Sequence, residues 1–384
     1  MKYLLVIDQI KQGGAERILV DFDAYLKQLG HKVKVFAMSG KKENSPWTES
    51  LDVTYGCSSS DDSFFGKLLQ FITIYKTFRN LVSSYKPDGI YSSLEKSNFL
   101  TSIANVNCKK IMSVHNVLSI QYLKIKNSIV RSLWYSIIKY VYNRCDKVIA
   151  VSNQVANDLI NNFGVKKEQI QVVNNYVDEE HIKSKSEEPV EDFFFDEKLF
   201  YIFNIGRFSS QKAHWRLLKS FYYLLNHHPN KDVRLVLMGS GLYEQNLHKL
   251  AKDLNIFDKV HFLQFNINPY KYLKNADMFV LSSNFEGFPI VLAESSSLGI
   301  PFVGTKKSMP EEMFYDKEVY EQCVCDVVDV RENFTTKICD DDISLGKVML
   351  RMVNDDSLRI DFYNNVKVMI GKEEQFSSYL SLLL

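Results

Sequence analysis

The stretch Val280-Leu-Ser-Ser-Asn-Phe-Glu286-Gly-Phe-Pro289-Ile-Val-Leu-Ala-Glu294-Ser-Ser-Ser-Leu-Gly299-Ile-Pro301 decides the fold. It starts as the end of a buried strand, Met278-Phe-Val-Leu, and breaks into a polar loop. Pro289 suits the first turn of a helix, where its missing N–H costs nothing. The helix predicted over 289–298 stops at Gly299, with Pro301 just beyond, and the strand Pro301-Phe-Val-Gly follows at once. The order is therefore strand, loop, helix, strand. Glu286 falls in the loop and Glu294, eight residues on, in the first turns of the helix. Free backbone N–H groups at that helix start make an anion site. A loop carboxylate, an anion-binding helix end and a second carboxylate suit a ligand that carries sugar hydroxyls, phosphates and a ribose.

Working outward, the same alternation of strand and helix runs through the chain. Tyr3-Leu-Leu-Val-Ile7 is an apolar run of the kind found in buried parallel strands. Gln12-Gly13-Gly14-Ala15-Glu16-Arg17 leads into a helix over 15–29, closed by Gly30, and Lys32–Phe36 is the next strand. Glycines where a strand turns into a helix let backbone approach a ligand closely, although a plain tight turn uses them equally. His115 follows the strand Ile111-Met-Ser-Val, at the strand end where open α/β sheets bind ligands. In the second half, the strand Phe200–Ile205 runs into Gly206-Arg207-Phe208-Ser-Ser-Gln211-Lys212 and a helix over 215–227. Two cations near helix N–H groups suit a diphosphate. Gly239-Ser-Gly241 has Glu244 where the dinucleotide fingerprint needs its third glycine, so that fingerprint fails. Alternating strands and helices imply parallel sheets.

Glu286 and Glu294, set within Phe285-Glu-Gly-Phe-Pro289 and Ala293-Glu-Ser295, resemble the signature of the retaining glycosyltransferases of family 4, which have the GT-B fold. The spacing alone is common; the flanking strand, Gly-Phe-Pro and Gly-Ile-Pro carry the resemblance. Gly13-Gly14-Ala-Glu-Arg17 is similar to the family's N-terminal loop beside the donor phosphate. Gly206-Arg207 with Lys212 resembles its pyrophosphate-gripping pair. Asn174-Asn-Tyr176-Val-Asp178 resembles the segment closing the first domain, with Tyr176 in place of the usual glycine.

The resemblance implies an α/β architecture of two Rossmann-like parallel-sheet domains facing a central cleft. The acceptor-binding domain is expected over 1–182 and a charged linker over 183–198. The nucleotide-sugar-binding domain follows over 199–365, with a helical segment over 366–384 packing back on the first domain. It implies metal-independent transfer of a sugar from a nucleotide-diphosphate donor, with retention, to a hydroxyl of a saccharide or lipid-linked saccharide in surface polysaccharide biosynthesis. Glu286, His115, Arg207 and Lys212 would serve the reaction. The donor would be bound by Gly13, Gly14, Arg207, Lys212, Gly287, Phe288, Pro289, Ile290 and Glu294. No cofactor beyond the donor substrate and no metal is expected. The rival readings are a nucleotide-sugar epimerase or hydrolase of the same fold, and a non-catalytic nucleotide-sugar-binding protein.

Bulk properties fit this reading. A length of 384 residues exceeds one ordinary core and fits two domains. The formal net charge of +1 gives no argument for nucleic acid. Six scattered cysteines, of which only Cys323 and Cys325 are close, make no zinc site and read as reduced thiols. The acid pairs Asp21/Asp23 and Asp340/Asp342 follow no strand, and read as solvated. The first residues lack the length and cleavage site of a signal peptide, and no run reaches the roughly 18 apolar residues of a spanning helix. The protein is expected in the cytoplasm, at most resting on the inner face of the membrane. The helix over 128–143 carries an apolar stripe of Ile129, Val130, Leu133, Trp134, Ile137, Ile138 and Val141. Such a stripe packs on a sheet or, with Lys124, Lys126 and Arg131 beside it, lies on an anionic membrane surface.

Overall fold

The computed structural model describes residues 1–10, 13–40, 48–57, 64–104, 106–123, 125, 127–227, 232–367 and 371–384. Gln12, Lys124 and Lys126 lie outside the described residues. Two compact units are present, Met1–Asn175 with Ile370–Leu384, and Tyr176–Met369.

The first unit opens with β1 (Lys2–Ile7), α1 (Gly14–Gln28), β2 (Lys32–Ala37), β3 (Val53–Tyr55) and α2 (Phe64–Tyr85). It continues through β4 (Gly89–Ser93), α3 (Glu95–Ile103), β5 (Lys109–Val114), α4 (Leu118–Leu123) and α5 (Ser128–Tyr142). Strand β6 (Lys147–Ala150), helix α6 (Asn153–Phe163) and strand β7 (Ile170–Val172) complete it. The strands form one parallel sheet in the order β3-β2-β1-β4-β5-β6-β7. Tyr3 to Ile7 are all fully buried, as an apolar run without alternation requires in a sheet covered on both faces. Gly164, in the left-handed region at φ 60°, ends α6, where a side chain would be strained.

Three elements of this unit are absent from the sequence reading. Strand β3 is a three-residue strand at the sheet edge, paired with β2 among the described residues. Helix α3 has no apolar stripe to betray it: Ser97, Asn98, Thr101 and Ser102 are among its buried residues. Helix α4, only six residues long, is too short to show a period. The acid pair at 21 and 23 is not solvated either. Asp23 is buried and pairs with Lys27 at 2.7 Å, while Asp21 lies 3.0 Å from Lys372, because both sit on a helix packed into the fold.

The second unit begins with α7 (Glu179–Ser186), β8 (Phe200–Ile205), α8 (His214–His227), β9 (Val233–Met238) and α9 (Glu244–Asp253). Next come β10 (Val260–Leu263), α10 (Tyr270–Leu273), β11 (Met278–Leu281), α11 (Ile290–Ser297) and β12 (Phe302–Thr305). Last are α12 (Lys317–Cys323), β13 (Val324–Cys325), α13 (Asp340–Asn354) and α14 (Asp356–Asn365). The sheet is parallel, in the order β10-β9-β8-β11-β12-β13. This is the doubly wound dinucleotide-domain order, with the reversal between β8 and β11.

The charged stretch expected as a linker is not free chain. Residues 183–186 finish α7, which packs on α10 and α11 within the second unit, Asn268 Nδ2 donates to Lys185 O and Glu188 Oε2 at 2.8 Å, and Tyr272 OH donates to Asp192 Oδ1 at 2.6 Å. The acids at 340–342 open α13 and are not a solvated loop. Asp342 is buried and accepts from Cys339 N at 2.9 Å, and Asp341 accepts from Val328 N and Asp329 N. The final helix, α15 (Lys372–Leu383), belongs to the first unit, where Phe376 and Tyr379 pack on Phe22 and Tyr379 stacks on Tyr91.

Candidate functional site

In an open doubly wound sheet, ligands bind beyond the strand C-termini where the strand order reverses. In the second unit that point lies between β8 and β11, and the loops leaving these strands carry Arg207, Lys212 and Glu286. Lys212 Nζ donates to Glu286 Oε1 at 2.7 Å. Gln211 Nε2 donates to Glu286 Oε2 at 3.3 Å and to Phe285 O at 3.1 Å. Glu286 N donates to Lys307 O, so both ends of the residue are fixed.

Arg207 is exposed and makes no ion pair among the described residues. Its turn is held from below by the glycines of the failed fingerprint. Gly206 N donates to Met238 O and Phe208 N to Ser240 O. Gly239 and Gly241, at φ 157° and 155°, lie so close to this turn that a Cβ on either would overlap the backbone of Gly206 or Phe208. Gly-x-Gly here shapes the Arg207 turn. Directly after Lys212, Ala213 holds the left-handed region at φ 49°, a strained backbone of the sort that collects at functional sites.

Gly287, Phe288 and Pro289 form the turn into α11, with Pro289 as the N-cap and Ile290 as the first helical residue. The first-turn N–H groups have no helical acceptor. Gly299, at φ 72°, ends the helix as the sequence predicts. Glu294 lies in the middle of α11, half-buried, and accepts a hydrogen bond from Tyr270 OH at 2.7 Å.

Gly13, Gly14 and His115 belong to the first unit. Gly13 is the N-cap of α1 in extended backbone (φ −129°) and Gly14 is the first helical residue, so neither sits in a conformation reserved for glycine. His115 follows β5, with Nε2 3.0 Å from Ser93 Oγ and 2.9 Å from Ser113 Oγ. Burial pushes its pKa down to about 4, which keeps the ring neutral at pH 7. Nearby in the same unit, Leu94 holds φ 79°, between β4 and α3. Burial, with Asp8 close by, raises the Glu95 carboxyl to about 7. Asp8 follows β1 and accepts from Ser97 N at 2.7 Å, its pKa also raised by burial. This acidic corner lies where β1 and β4 reverse the strand order of the first sheet, and no sequence motif marks it.

Sequence reasoning also missed Arg216 and Asn284, which tie the loops of the second unit together. A charged residue on a helix otherwise rich in Leu and aromatic side chains reads as solvated, yet Arg216 is 2% exposed. The sequence signal for Asn284 was its place two residues before Glu286, which on its own says little.

The helix with the apolar stripe is only partly packed. Ile138, Val141 and Tyr142 are buried, but Ile129 is 79% and Leu133 60% exposed, and Val130 and Trp134 are exposed too. No helix among the described residues is long and apolar enough to cross a membrane.

The family described as Glycosyltransferase Family 4 matches residues 12–181, and that described as Glycosyl transferases group 1 matches residues 185–338. The chain is 27% identical over 369 residues to a Campylobacter jejuni N-acetylgalactosamine-N,N'-diacetylbacillosaminyl-diphospho-undecaprenol 4-alpha-N-acetylgalactosaminyltransferase, covering 94% of this chain and 93% of that protein. It is 24% identical over 370 residues to a second protein of that organism, GalNAc-alpha-(1->4)-GalNAc-alpha-(1->3)-diNAcBac-PP-undecaprenol alpha-1,4-N-acetyl-D-galactosaminyltransferase, covering 96% and 93%. The crystal structure of Anabaena HepE in complex with UDP and glucose superposes with a TM-score of 0.73 over 99% of both chains, at 17% identity. With two parallel Rossmann-like sheets and both family domains in order along the chain, this protein belongs to the family 4 glycosyltransferases of GT-B fold.

Proposed function

We propose that this glycosyltransferase moves a sugar, with retention, from a nucleotide-diphosphate donor to a hydroxyl of a lipid-linked saccharide in surface polysaccharide biosynthesis. The observation that carries the reading is the Lys212–Glu286 pair at the switch point of the second sheet, with the exposed Arg207 on the adjoining turn. Arg207 and Lys212 answer the charge that grows on the leaving diphosphate, an electrostatic stabilisation that calls for no metal. The α11 N-terminus and the Gly13–Gly14 backbone add N–H donors. Glu286 accepts from hydroxyls of the donor sugar and Glu294 from the ribose. His115, neutral, faces the sugar near the reacting carbon. If both serine hydroxyls donate to its Nε2, the ring proton sits on Nδ1, ready to donate. The departing phosphate oxygen takes the acceptor's proton on the same face, so no protein base is assigned.

The acceptor class rests on the two Campylobacter relatives, whose names specify undecaprenyl-diphosphate saccharides. A surface location rests on the exposed apolar half of α5. It also rests on charge: residues 96–145 hold eight Lys or Arg and no Asp or Glu. That combination suits the cytoplasmic, anionic face of a membrane.

The test is a thermal-shift screen with UDP-, GDP- and ADP-sugars, since ligand binding to the folded state raises its stability. Transfer to an undecaprenyl-diphosphate disaccharide is then followed in EDTA, with the anomeric configuration of the product read by NMR. Retained configuration without metal is expected. An inverted product or a manganese requirement would sink the mechanism. Sugar release or epimerisation without acceptor would favour the hydrolase or epimerase reading, and no binding would favour a non-catalytic protein.

A further inference from the structure

We propose that Arg216 is a positioning residue that, through Asn284, sets the loop carrying Glu286; the catalytic part of this inference rests on the function proposed above. The guanidinium is buried, and no carboxylate lies within ion-pair distance of it among the described residues. Nη1 donates to Ser282 O at 2.8 Å, and Nη2 to Asn284 Oδ1 at 2.9 Å and Asp329 O at 2.7 Å. Asp341 and Asp342 act on it only across space; a buried charge without a direct ion pair is costly, and an apolar side chain of similar volume is the cheaper way to fill a core. What the guanidinium supplies is geometry: a rigid planar fork that reaches acceptors on separate segments at once.

Those segments converge on the site. Asn284, oriented by Arg216, donates from Nδ2 to Ser210 O at 2.8 Å and to Val330 O at 3.1 Å. Its backbone N–H donates to Gln211 O at 2.8 Å. Ser282 Oγ donates to Lys212 O at 2.9 Å. Gln211 and Lys212 in turn hold the two carboxylate oxygens of Glu286. The 206–212 loop, the 282–289 loop and the 328–330 segment thus share one buried hub. Asp341 secures the third by accepting from Val328 N and Asp329 N. Arg216 makes no hydrogen bond or ion pair to Lys212 or Glu286 among the described residues, and its effect on either passes through Asn284 and Ser282.

The experiment compares wild type with R216K, which keeps the charge and loses the fork, and with N284A. Hydrogen–deuterium exchange is followed for the peptide over 282–289 and for the β8 and β9 strands, and melting temperature is measured alongside. Both variants should exchange at least tenfold faster over 282–289, with the strands unchanged. With the donor found in the screen above, kcat should fall at least tenfold while the Kd for UDP, used as probe, moves less than threefold. Unchanged exchange over 282–289, or equal loosening of β8 and β9, would overturn the assignment and leave Arg216 a general core residue. So would a kcat that stays at the wild-type value in R216K. If wild type itself transfers no sugar, the function proposed above fails, and the exchange comparison still decides whether Arg216 sets the loop.

Discussion

Lys212 and Glu286, 74 positions apart in the sequence, meet at 2.7 Å in the loops that leave neighbouring parallel strands β8 and β11. One is expected to serve the donor's diphosphate and the other its sugar. Their pairing puts both groups at one point of the second sheet, with side chains only 21% and 10% exposed. Arg207 lies in the same β8–α8 loop as Lys212, exposed and without an ion pair among the described residues.

Replacing Arg207 or Lys212 with Ala should weaken nucleoside-diphosphate binding. Each charge-assisted contact is worth roughly 1.5–3 kcal/mol, or about 10- to 150-fold in affinity. Lys212→Ala should also lower the melting temperature, because it leaves the Glu286 carboxylate with one partner fewer in a buried loop. Arg207→Ala should not, since that side chain is exposed and makes no ion pair among the described residues. Calorimetric titration with UDP, paired with thermal melts, reads both; wild-type affinity in both variants would remove the phosphate grip.

The two carboxylates of the motif should separate kinetically. Glu286→Gln removes charge beside the reacting sugar and should lower kcat mainly. Glu294→Gln should act on nucleotide affinity, because its partner Tyr270 and its place on α11 put it apart from the Lys212–Glu286 pair. Titration with the nucleotide alone distinguishes them. Weaker nucleotide binding in Glu286→Gln with none in Glu294→Gln would reverse the assignments.

Membrane attachment should depend on the exposed half of α5. Changing Ile129 and Leu133 to Ser should cut partitioning onto vesicles containing anionic lipid and leave the melting temperature unchanged, as these side chains are 79% and 60% exposed. Arg131→Glu should reduce partitioning further, at about 1 kcal/mol per basic residue near such a surface. Vesicle sedimentation is the measurement. Unaltered partitioning would leave this face without a membrane role.

His214 should make the fold acid-sensitive. It is buried, its Nε2 lies 2.8 Å from Asn204 Oδ1, and its pKa is pushed down to about 3, chiefly by burial with the Lys212 charge adding. The unfolded chain takes up this proton near pH 6.5. Its stabilising contribution is therefore complete above about pH 6.5 and is lost progressively as the pH falls toward 3. His214→Gln should melt lower than wild type at pH 7.5, with the gap closing at pH 4.5. A gap independent of pH would show that this proton is not what is being lost.

Glu95 should have the opposite sign. Its folded pKa, raised to about 7 by burial, exceeds the unfolded value near 4.3, so its ionisation destabilises the fold increasingly between those two pH values. Glu95→Gln should accordingly gain melting temperature on wild type as pH rises from 5 to 8. A constant difference over that range would place the carboxyl in water.

The strand–loop–helix–strand unit at 278–304 and the two parallel sheets were legible in the sequence, which also offered Arg207, Lys212, Glu286 and Glu294 as candidates. These are local signals: unbroken apolar runs, glycine and proline at helix ends, and short motifs whose residues lie within a few positions of one another. Signals that are not local escaped the sequence. Helix α3 buries Ser and Asn against neighbours contributed by distant strands, so no period announces it. Asp23 and Asp342 read as solvated acids until their helices are packed. Gly239 and Gly241 fail as a fingerprint and serve to carry the Arg207 turn, a contact between the ends of β8 and β9. Arg216 makes the same point most sharply. One charged side chain on an amphipathic helix looks like any other, and only folding brings Ser282, Asn284 and Asp329 around its guanidinium. Burial and long-range hydrogen bonds are properties of the assembled fold, because each depends on atoms that the chain brings together from far along its length.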